Sequence, residues 1–280
     1  MDARTQVFAI IGNPARHSKS PELHNAVFSH LGINAVYVAH EVDDAGAAVA
    51  AMRVLGYAGA NVTMPFKSAV IEHLDSISDV AREMNAVNTI TFRDGHARGD
   101  NTDGAGLLSE IEAEGTSVAG SHIVLLGTGG AASSIWTQAA LDGAARVSVF
   151  NRAKPELASI RTALDRLSTR TGCALSLHTL EAGGLEEACA DADIIINATS
   201  VGMGHLAGQT LVDARWITSG HTVADVVYHP RITRLIAEAR AAGAKTVPGL
   251  RMLLGQAAIA ERIWLGIDMP MEVARQAVTS

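Results

Sequence analysis

The sequence predicts an α/β protein with two α/β domains, because short apolar segments that suit buried strands alternate with helical segments along the chain. One apolar segment, Ile123–Leu126, runs into a glycine-rich turn and then into a helical segment from Ser133 to Leu141. Strands and helices already alternate through the first hundred residues, before that turn is reached. A second α/β unit is therefore expected to begin near residue 104.

The elements of the first unit follow from apolar runs and from the residues that interrupt them. Ser20 suits a helix N-cap and Pro21 suits the first turn, so a helix is expected to run to about Leu31. The predicted strands are 7–11, 37–40, 59–63 and 86–92, and the predicted helices are 20–31, 45–55, 75–84 and 105–114, with a turn at 93–96.

The second unit continues as a series of short apolar strands. After the segment at 123, strands are predicted at 146–150, 174–178, 194–197 and 222–225. The tail from Leu250 to Val278 is helical in pattern, and nothing in its sequence ties it to the domain that it follows.

Composition limits the classes of function. A hydrophobic content of 48% and a charged content of 18% are typical of a globular protein with a large core. A net charge of −7, with no long basic run, argues against a nucleic-acid partner. The apolar segments are too short for a membrane span or a secretory signal, so we expect no membrane association and a cytoplasmic protein.

Metal and serine-nucleophile chemistry find no support in the sequence. Cys173 and Cys189 are too few for a disulfide framework or a cysteine zinc site, and we expect both to be small buried residues. The eleven histidines show no paired ligand spacing, so His17 and His24 are interpreted as structural and no metal is expected. The Gly-x-Ser-x-Gly motif of serine hydrolases is absent.

The glycine-rich turn fits a dinucleotide-binding motif, since it follows a strand and opens a helix. Gly127 would allow the tight turn, Gly129 would let the backbone approach a pyrophosphate, and Ala132 would let the helix pack closely on the strand. The helix N-terminus would offer N–H groups to the phosphates. The alternative is a tight strand-to-helix turn that binds nothing.

The next strand ends in Asn151-Arg152, where an NAD site usually carries an acidic residue. A guanidinium pairs with a phosphate in bidentate fashion, so NADP is the favoured cofactor. The alternative is an ordinary exposed arginine in a loop.

Polar clusters follow several strands of the first unit, and open α/β sheets bind ligands at the carboxyl ends of their strands. Ser18 and Ser20 would bind a carboxylate, and Lys67 with Asp103 would relay a proton at a hydroxyl. Helix capping is the alternative for each cluster alone. The clusters are Ser18/Ser20, Asn61/Thr63/Lys67, Asn88 and Asn101/Asp103, and together they suit a small, hydroxylated, anionic molecule.

From about residue 7 to 266, the ordered motifs resemble those of the shikimate dehydrogenase family. The motifs are Gly12-Asn-Pro-x-x-His-Ser18-Lys-Ser20-Pro, Asn61-Val-Thr63-Met-Pro-Phe-Lys67, Ala86-Val-Asn88-Thr, Gly99-Asp-Asn-Thr-Asp103-Gly, Gly127-x-Gly-Gly-Ala131, Asn151-Arg152, Asn197-Ala-Thr-Ser-Val-Gly-Met203, Asp225-Val-Val-Tyr228-x-Pro and Pro248-Gly249-Leu-x-Met-Leu-x-x-Gln256.

The resemblance implies an enzyme that interconverts 3-dehydroshikimate and shikimate with NADP(H), acting as a monomer or homodimer. It also implies a substrate-binding domain at 1–103, completed by C-terminal helices at 250–280, and a Rossmann-type NADP domain at 104–249. Lys67 and Asp103 are the implied catalytic pair. The implied substrate residues are Ser18, Ser20, Asn61, Thr63, Asn88, Tyr228 and Gln256, and the implied cofactor residues are Asp79, Gly127, Thr128, Gly129, Gly130, Ala131, Asn151, Arg152, Val226 and Gly249.

Several positions depart from the family pattern. Ala153 replaces a threonine after Asn151-Arg152, and Glu156 stands where a second arginine is common, which leaves NAD open as a cofactor. Asn85 replaces a glycine and is expected to keep its left-handed turn. Arg251 also replaces a glycine and adds a charge near the expected cofactor edge. Two alternatives therefore stay open: a quinate/shikimate dehydrogenase of catabolic role, and an NADP(H)-binding module without turnover.

Overall fold

The computed structural model describes residues 1–279, and these form two compact units. The first contains Met1–Thr102 together with the chain from Gln256 onward. The second contains Asp103–Gly255. The fold class predicted from the sequence, two α/β domains with C-terminal helices that return to the first, is confirmed.

The first unit is built on a six-stranded mixed sheet with strand order β2-β1-β3-β5-β6-β4. β1 pairs in parallel with β2 and β3, whereas β5 pairs antiparallel with β3 and β6. The strands are β1 (Gln6–Gly12), β2 (Ala35–Glu41), β3 (Gly59–Val62), β4 (Ser76–Ile77), β5 (Thr89–Arg93) and β6 (His96–Asp100), and the helices among them are α1 (Ser20–Leu31), α2 (Ala45–Val54) and α3 (Asp79–Met84).

One predicted helix of this unit begins too early. The segment predicted as a helix from residue 75 instead forms β4, which pairs in parallel with β6, and Ser78 then caps α3 by accepting a hydrogen bond from the Ala81 N–H. β6 begins at the last residue of the predicted turn at 93–96, and no strand was predicted there. Asp94 and Gly95 both have positive φ, which closes the β5–β6 hairpin tightly.

The second unit contains a six-stranded parallel sheet with strand order β12-β11-β10-β7-β8-β9. Successive strands are added outward from β7 to β9 on one side and from β10 to β12 on the other, so the strand order reverses between β7 and β10, which is the switch point of a Rossmann fold. Both strands are fully buried, in keeping with their continuous apolar sequences. The strands are β7 (His122–Leu126), β8 (Arg146–Asn151), β9 (Ala174–Thr179), β10 (Ile194–Asn197), β11 (Thr222–Asp225) and β12 (Lys245–Val247).

Helices α4 and α5 of this unit pack very closely. A Cβ on Gly104 would lie 2.1 Å from the backbone oxygen of Ser134, so only glycine fits there. The helices of the unit are α4 (Asp103–Ala113), α5 (Gly130–Leu141), α6 (Leu157–Thr171), α7 (Leu185–Ala190) and α8 (Arg234–Ala241).

The chain ends in two helices, α9 (Gly249–Leu265) and α10 (Met271–Thr279). The later part of α9 completes the core of the first unit. The Trp264 ring packs 5.0 Å from the Phe8 ring, and its indole N–H donates to the Ile90 carbonyl at 3.0 Å. Within residues 1–279, no helix has the length and apolarity needed to cross a membrane.

Candidate functional site

The polar residues of the first unit converge at Asn88, directly before β5. Its side-chain oxygen accepts hydrogen bonds from the Thr102 N–H at 2.9 Å and the Thr89 hydroxyl at 2.9 Å. Its side-chain NH2 donates to the Thr102 hydroxyl at 3.1 Å. Asn88 is nearly fully buried, and it fixes the backbone directly before Asp103, the first residue of α4.

The Lys67 backbone is hydrogen-bonded to the residue before Asn88. Its carbonyl oxygen accepts from the Val87 N–H at 2.8 Å, next to Asn88 in the chain. On the other side, the Asn88 N–H donates to the Asp100 carbonyl at 3.0 Å. The Val87–Asn88 backbone therefore joins the segment that carries Lys67 to the segment that leads into Asp103.

Ser20 was considered as an N-cap, and the structure shows that this interpretation is wrong. Ser20 is the first residue of α1, the cap position is Lys19, and no side chain caps the helix. The buried Ser20 hydroxyl instead forms a hydrogen bond with the side chain of Tyr37. Ser18 lies beside it and accepts from the Ser20 N–H at 3.2 Å.

Tyr37 links two predicted substrate residues and was not identified from the sequence. Its hydroxyl donates to the side-chain oxygen of Asn61 at 2.6 Å, and it is also bonded to Ser20. Burial raises the pKa of Tyr37 well above its ordinary value, so the phenol stays protonated and remains a donor. Tyr37 lies within β2, and nothing in its local sequence signals this role.

The Asn61 side chain forms three hydrogen bonds within the protein. Both N–H groups of its amide are engaged, with the Asn88 carbonyl at 3.1 Å and the Thr89 hydroxyl at 3.2 Å. Its oxygen already accepts from Tyr37. Asn61 therefore holds neighbouring groups in place and offers at most one lone pair to a ligand.

A buried pair of titratable side chains, His24 and Glu261, packs next to Tyr37. The Nδ1 atom of His24 lies 2.7 Å from Oε1 of Glu261, and both side chains are fully buried. The His24 ring stacks on the Tyr37 ring, with 4.4 Å between centroids. This buried position agrees with the interpretation of His24 as a structural residue. Glu261, which lies in α9, was not identified from the sequence.

The remaining predicted residues of the first unit differ in exposure. Thr63 is half-buried, and its methyl group lies where a Cβ on Gly12 would be, so Gly12 permits the close approach. Gln256 is half-buried. Asp79 is exposed in the first turn of α3, where it pairs with Arg82 at 3.0 Å. Asn85 ends α3 in the left-handed conformation, as predicted.

The glycine-rich turn of the second unit has the features of a phosphate cradle. Gly127 has a φ of +110°, and a Cβ there would lie 2.6 Å from the Ala198 carbonyl oxygen. Gly129 and Gly130 are exposed, and a Cβ on either would meet nothing within 4 Å. No side chain caps α5, and the Thr128 hydroxyl is buried without a partner. Open space, unpaired donors and a helix N-terminus fit a dinucleotide pyrophosphate.

Two further cofactor candidates lie after β8 and beside β11. Arg152 is exposed, and its carbonyl accepts from the Asn151 side chain at 3.0 Å. Val226 follows Asp225, a buried carboxylate whose pKa is raised by burial. Asp225 accepts from the Val227 N–H at 2.9 Å and from the Asn197 side chain at 2.9 Å. These bonds hold the loop that contains Val226 and Tyr228.

Gly249 meets the same loop at the start of α9. A Cβ on Gly249 would lie 2.4 Å from the Val227 carbonyl oxygen. Only glycine at this position therefore lets the start of α9 lie so close to the loop. Tyr228 is 55% exposed in this loop. Arg251, whose effect the sequence left open, is paired with Glu110 and Glu114 of α4, which neutralises its charge.

Both cysteines are free and buried. Burial raises the pKa of Cys173 to about 11 and that of Cys189 to about 12, so both thiols stay protonated at neutral pH. Across residues 1–279, no group of three or more His, Cys, Asp or Glu side chains is arranged to hold a metal ion.

The second unit has a Rossmann fold with an open glycine-rich turn, and polar side chains cluster in the sheet of the first unit. A family model described as the shikimate dehydrogenase substrate binding domain matches residues 10–90, and one for the shikimate 5′-dehydrogenase C-terminal domain matches residues 249–279. The shikimate dehydrogenase (NADP(+)) of Alkaliphilus metalliredigens is 39% identical over 99% of this chain and 97% of its own. The chain belongs to the shikimate dehydrogenase family.

Solved structures share this fold. The shikimate 5-dehydrogenase of Listeria monocytogenes, in complex with shikimate and NAD, is 36% identical with a TM-score of 0.94, over 99% of this chain and 97% of that one. The 5-ketofructose reductase of Gluconobacter sp. strain CHM43 is 33% identical with a TM-score of 0.91, over 99% of both chains.

The two glycines of the cradle should respond differently to alanine. Gly127→Ala should lower the free energy of unfolding by about 2–4 kcal/mol, because it combines an unfavourable φ with a backbone clash. Gly129→Ala should lower it by no more than about 1 kcal/mol, since its Cβ enters open space and only the N-cap preference for glycine over alanine is lost. Urea unfolding of both variants checks this, and equal losses would contradict the described backbone.

Proposed function

We propose that this protein is an NADP-dependent oxidoreductase that interconverts shikimate and 3-dehydroshikimate. Family membership supports the class of reaction. The observation that carries the proposal is the Asn88 network, which joins the Lys67 segment to the residues directly before Asp103. The proposal assigns the proton to this pair.

The cofactor residues fit the proposed NADP. Gly127, Thr128, Gly129, Gly130 and Ala131 would hold the pyrophosphate at the start of α5. Arg152, with Asn151, would hold the 2′-phosphate, and Val226 and Gly249 would line the cofactor from the loop beside β11. Asp79 is the weakest of the proposed contacts, because it is exposed and paired with Arg82. When bound, the cofactor would supply the redox chemistry: NADPH would donate the hydride during reduction, and NADP⁺ would accept it during oxidation.

Lys67 and Asp103 are the proposed proton-handling pair. During oxidation of shikimate the ring hydroxyl loses its proton as the carbon becomes a carbonyl, and the lysine and carboxylate take up and relay that proton. In the reverse direction they return it to the new oxygen. The protein otherwise contributes orientation of the bound ring.

Shikimate is an anion with ring hydroxyls, and the proposed contacts match that chemistry. Ser18, just before α1, would donate to the carboxylate, and Ser20 would do so by turning toward the ligand the hydroxyl proton that Tyr37 accepts in the free protein. Asn88 would orient a ring hydroxyl, and Asn61 acts mainly through its bonds to Asn88 and Tyr37. Thr63, Tyr228 and Gln256 are the remaining proposed contacts with substrate.

Replacing the proposed proton handler gives the first functional prediction. Lys67→Ala should lower kcat for shikimate oxidation by about 10²-fold or more while the NADPH Kd stays near that of the parent. Initial rates and a fluorescence titration measure the two quantities. Lys245→Ala, a lysine that donates to the Gly115 carbonyl, is the control and should keep full activity. Near-parental turnover of Lys67→Ala would remove Lys67 from the mechanism.

The cradle provides a second functional prediction. Gly129→Ala should fold, because its Cβ meets nothing within 4 Å. Its methyl group would occupy the space proposed for the pyrophosphate. The NADPH Kd should therefore rise by about tenfold or more. Gly220→Ala, an exposed glycine of the same unit with room for a Cβ, is the matched control. Unchanged affinity in Gly129→Ala would place the cofactor elsewhere.

Tyr37 gives a third prediction. Tyr37→Phe removes the hydroxyl that orders Ser20 and Asn61, so the KM for shikimate should rise by about tenfold, with the KM for NADP unchanged. Tyr57→Phe removes a hydroxyl bonded to His40 in the same unit and serves as the control. A fall in thermal stability with no change in the KM for shikimate would make Tyr37 purely structural.

Substrate choice is tested by initial rates with shikimate, quinate and 5-ketofructose, each with the NADP and NAD couples. High kcat/KM for shikimate with NADP supports the proposal. Comparable rates with quinate or NAD favour the catabolic alternative, and cofactor binding without turnover of any substrate favours a non-catalytic NADP(H)-binding module. The cytoplasmic location and the monomeric or homodimeric state stay predictions from the sequence and the resemblance.

A further inference from the structure

The turn after β8 contains an acid that sequence reasoning did not identify. β8 and β9 run in parallel, and their register pairs Asn151 with Thr179. Ala153 lies two residues after Asn151, and Glu181 lies two residues after Thr179. The Glu181 carboxylate accepts from the Ala153 N–H at 3.1 Å. Its position beside the turn follows from the strand register.

The charges around this turn are mixed. Arg152 and Lys154 are exposed cations within it, and Glu156 is an exposed acid at the N-cap of α6 whose side chain caps nothing. Ala153 offers no side-chain donor, so its backbone N–H is the group through which this position can bind an anion. Glu181, from the neighbouring strand end, already occupies that N–H.

We infer that Glu181 determines the preference between NAD and NADP, an inference that rests on the proposed function. An acid beside the adenosine ribose accepts a hydrogen bond from the 2′-hydroxyl of NAD. The same carboxylate repels a 2′-phosphate and competes with it for the Ala153 N–H. Arg152 and Lys154 attract that phosphate. The turn therefore accepts both cofactors, and Glu181 sets their ratio.

The test is a direct titration of the full-length protein with NADPH and with NADH, followed by nicotinamide fluorescence. Glu181→Gln keeps the size of the side chain and removes its charge. The ratio of the NADH Kd to the NADPH Kd should rise by about tenfold in this variant. Because Glu181 is exposed, its replacement should not affect folding.

Two matched variants make the result specific. Glu187→Gln removes an exposed acid in the first turn of α7 and should leave the ratio unchanged. Glu156→Gln removes the other acid near the turn and should change the ratio by less than about twofold. A Glu181→Gln ratio within about twofold of the parent, or a larger shift in Glu156→Gln, would overturn the inference.

The titration contains no shikimate, so its outcome separates the two proposals. A shifted ratio supports Glu181 even if shikimate is not turned over. Parental protein that binds neither NADPH nor NADH overturns both the cofactor proposal and this inference. Parental protein that binds both, with no shift in Glu181→Gln, overturns the inference and leaves the proposed function intact.

Discussion

The parallel pairing of β7 with both β8 and β10 is the constraint on which the second unit depends. Backbone polar groups buried in a sheet must be paired, so the strand ends are fixed relative to one another. The Gly127 N–H donates to the Phe150 carbonyl and the Ala198 N–H donates to the Leu126 carbonyl, both at 2.8 Å. The three strands therefore end at one level, and the glycine-rich turn lies where they end.

The same pairing explains why residue 127 must be glycine. β10 turns directly across the end of β7, and the Ala198 carbonyl leaves no space for a Cβ. Gly129 and Gly130 have no such neighbour, so their lack of side chains is not required by packing. The turn thus separates glycines needed for the fold from glycines that leave room for a ligand.

In the first unit, buried hydrogen bonding is the organising requirement. Tyr37 donates to the Asn61 side chain, Asn61 donates to the Asn88 backbone carbonyl, and the Asn88 side chain donates to the Thr102 hydroxyl. Burial makes an unpaired group costly, so each member restricts the orientation of the next. The geometry of these polar groups is therefore set by the protein itself.

Local sequence signals identified most of the elements but misjudged some boundaries. The apolar runs at 194–197 and 222–225 match β10 and β11, because a buried parallel strand is apolar on both faces. Residues 75–78 looked helical, and pairing with β6 overrode that local preference. Ser20 carried a good capping signal, yet the helix begins at Ser20 itself and its hydroxyl is used by Tyr37.

The sequence by itself determined the fold class and the glycine-rich cradle, since both depend on apolar periodicity and on residues that are adjacent in the chain. Polar residues after the predicted strands indicated the clusters, including Lys67 and Asp103, and the motif resemblance supplied the substrate that they imply. Only the tertiary structure decided which groups meet across long separations, such as Tyr37 with Asn61, His24 with Glu261, and Ala153 with Glu181. Those contacts depend on strand order, register and helix packing, which act between distant residues and leave no local pattern in the chain.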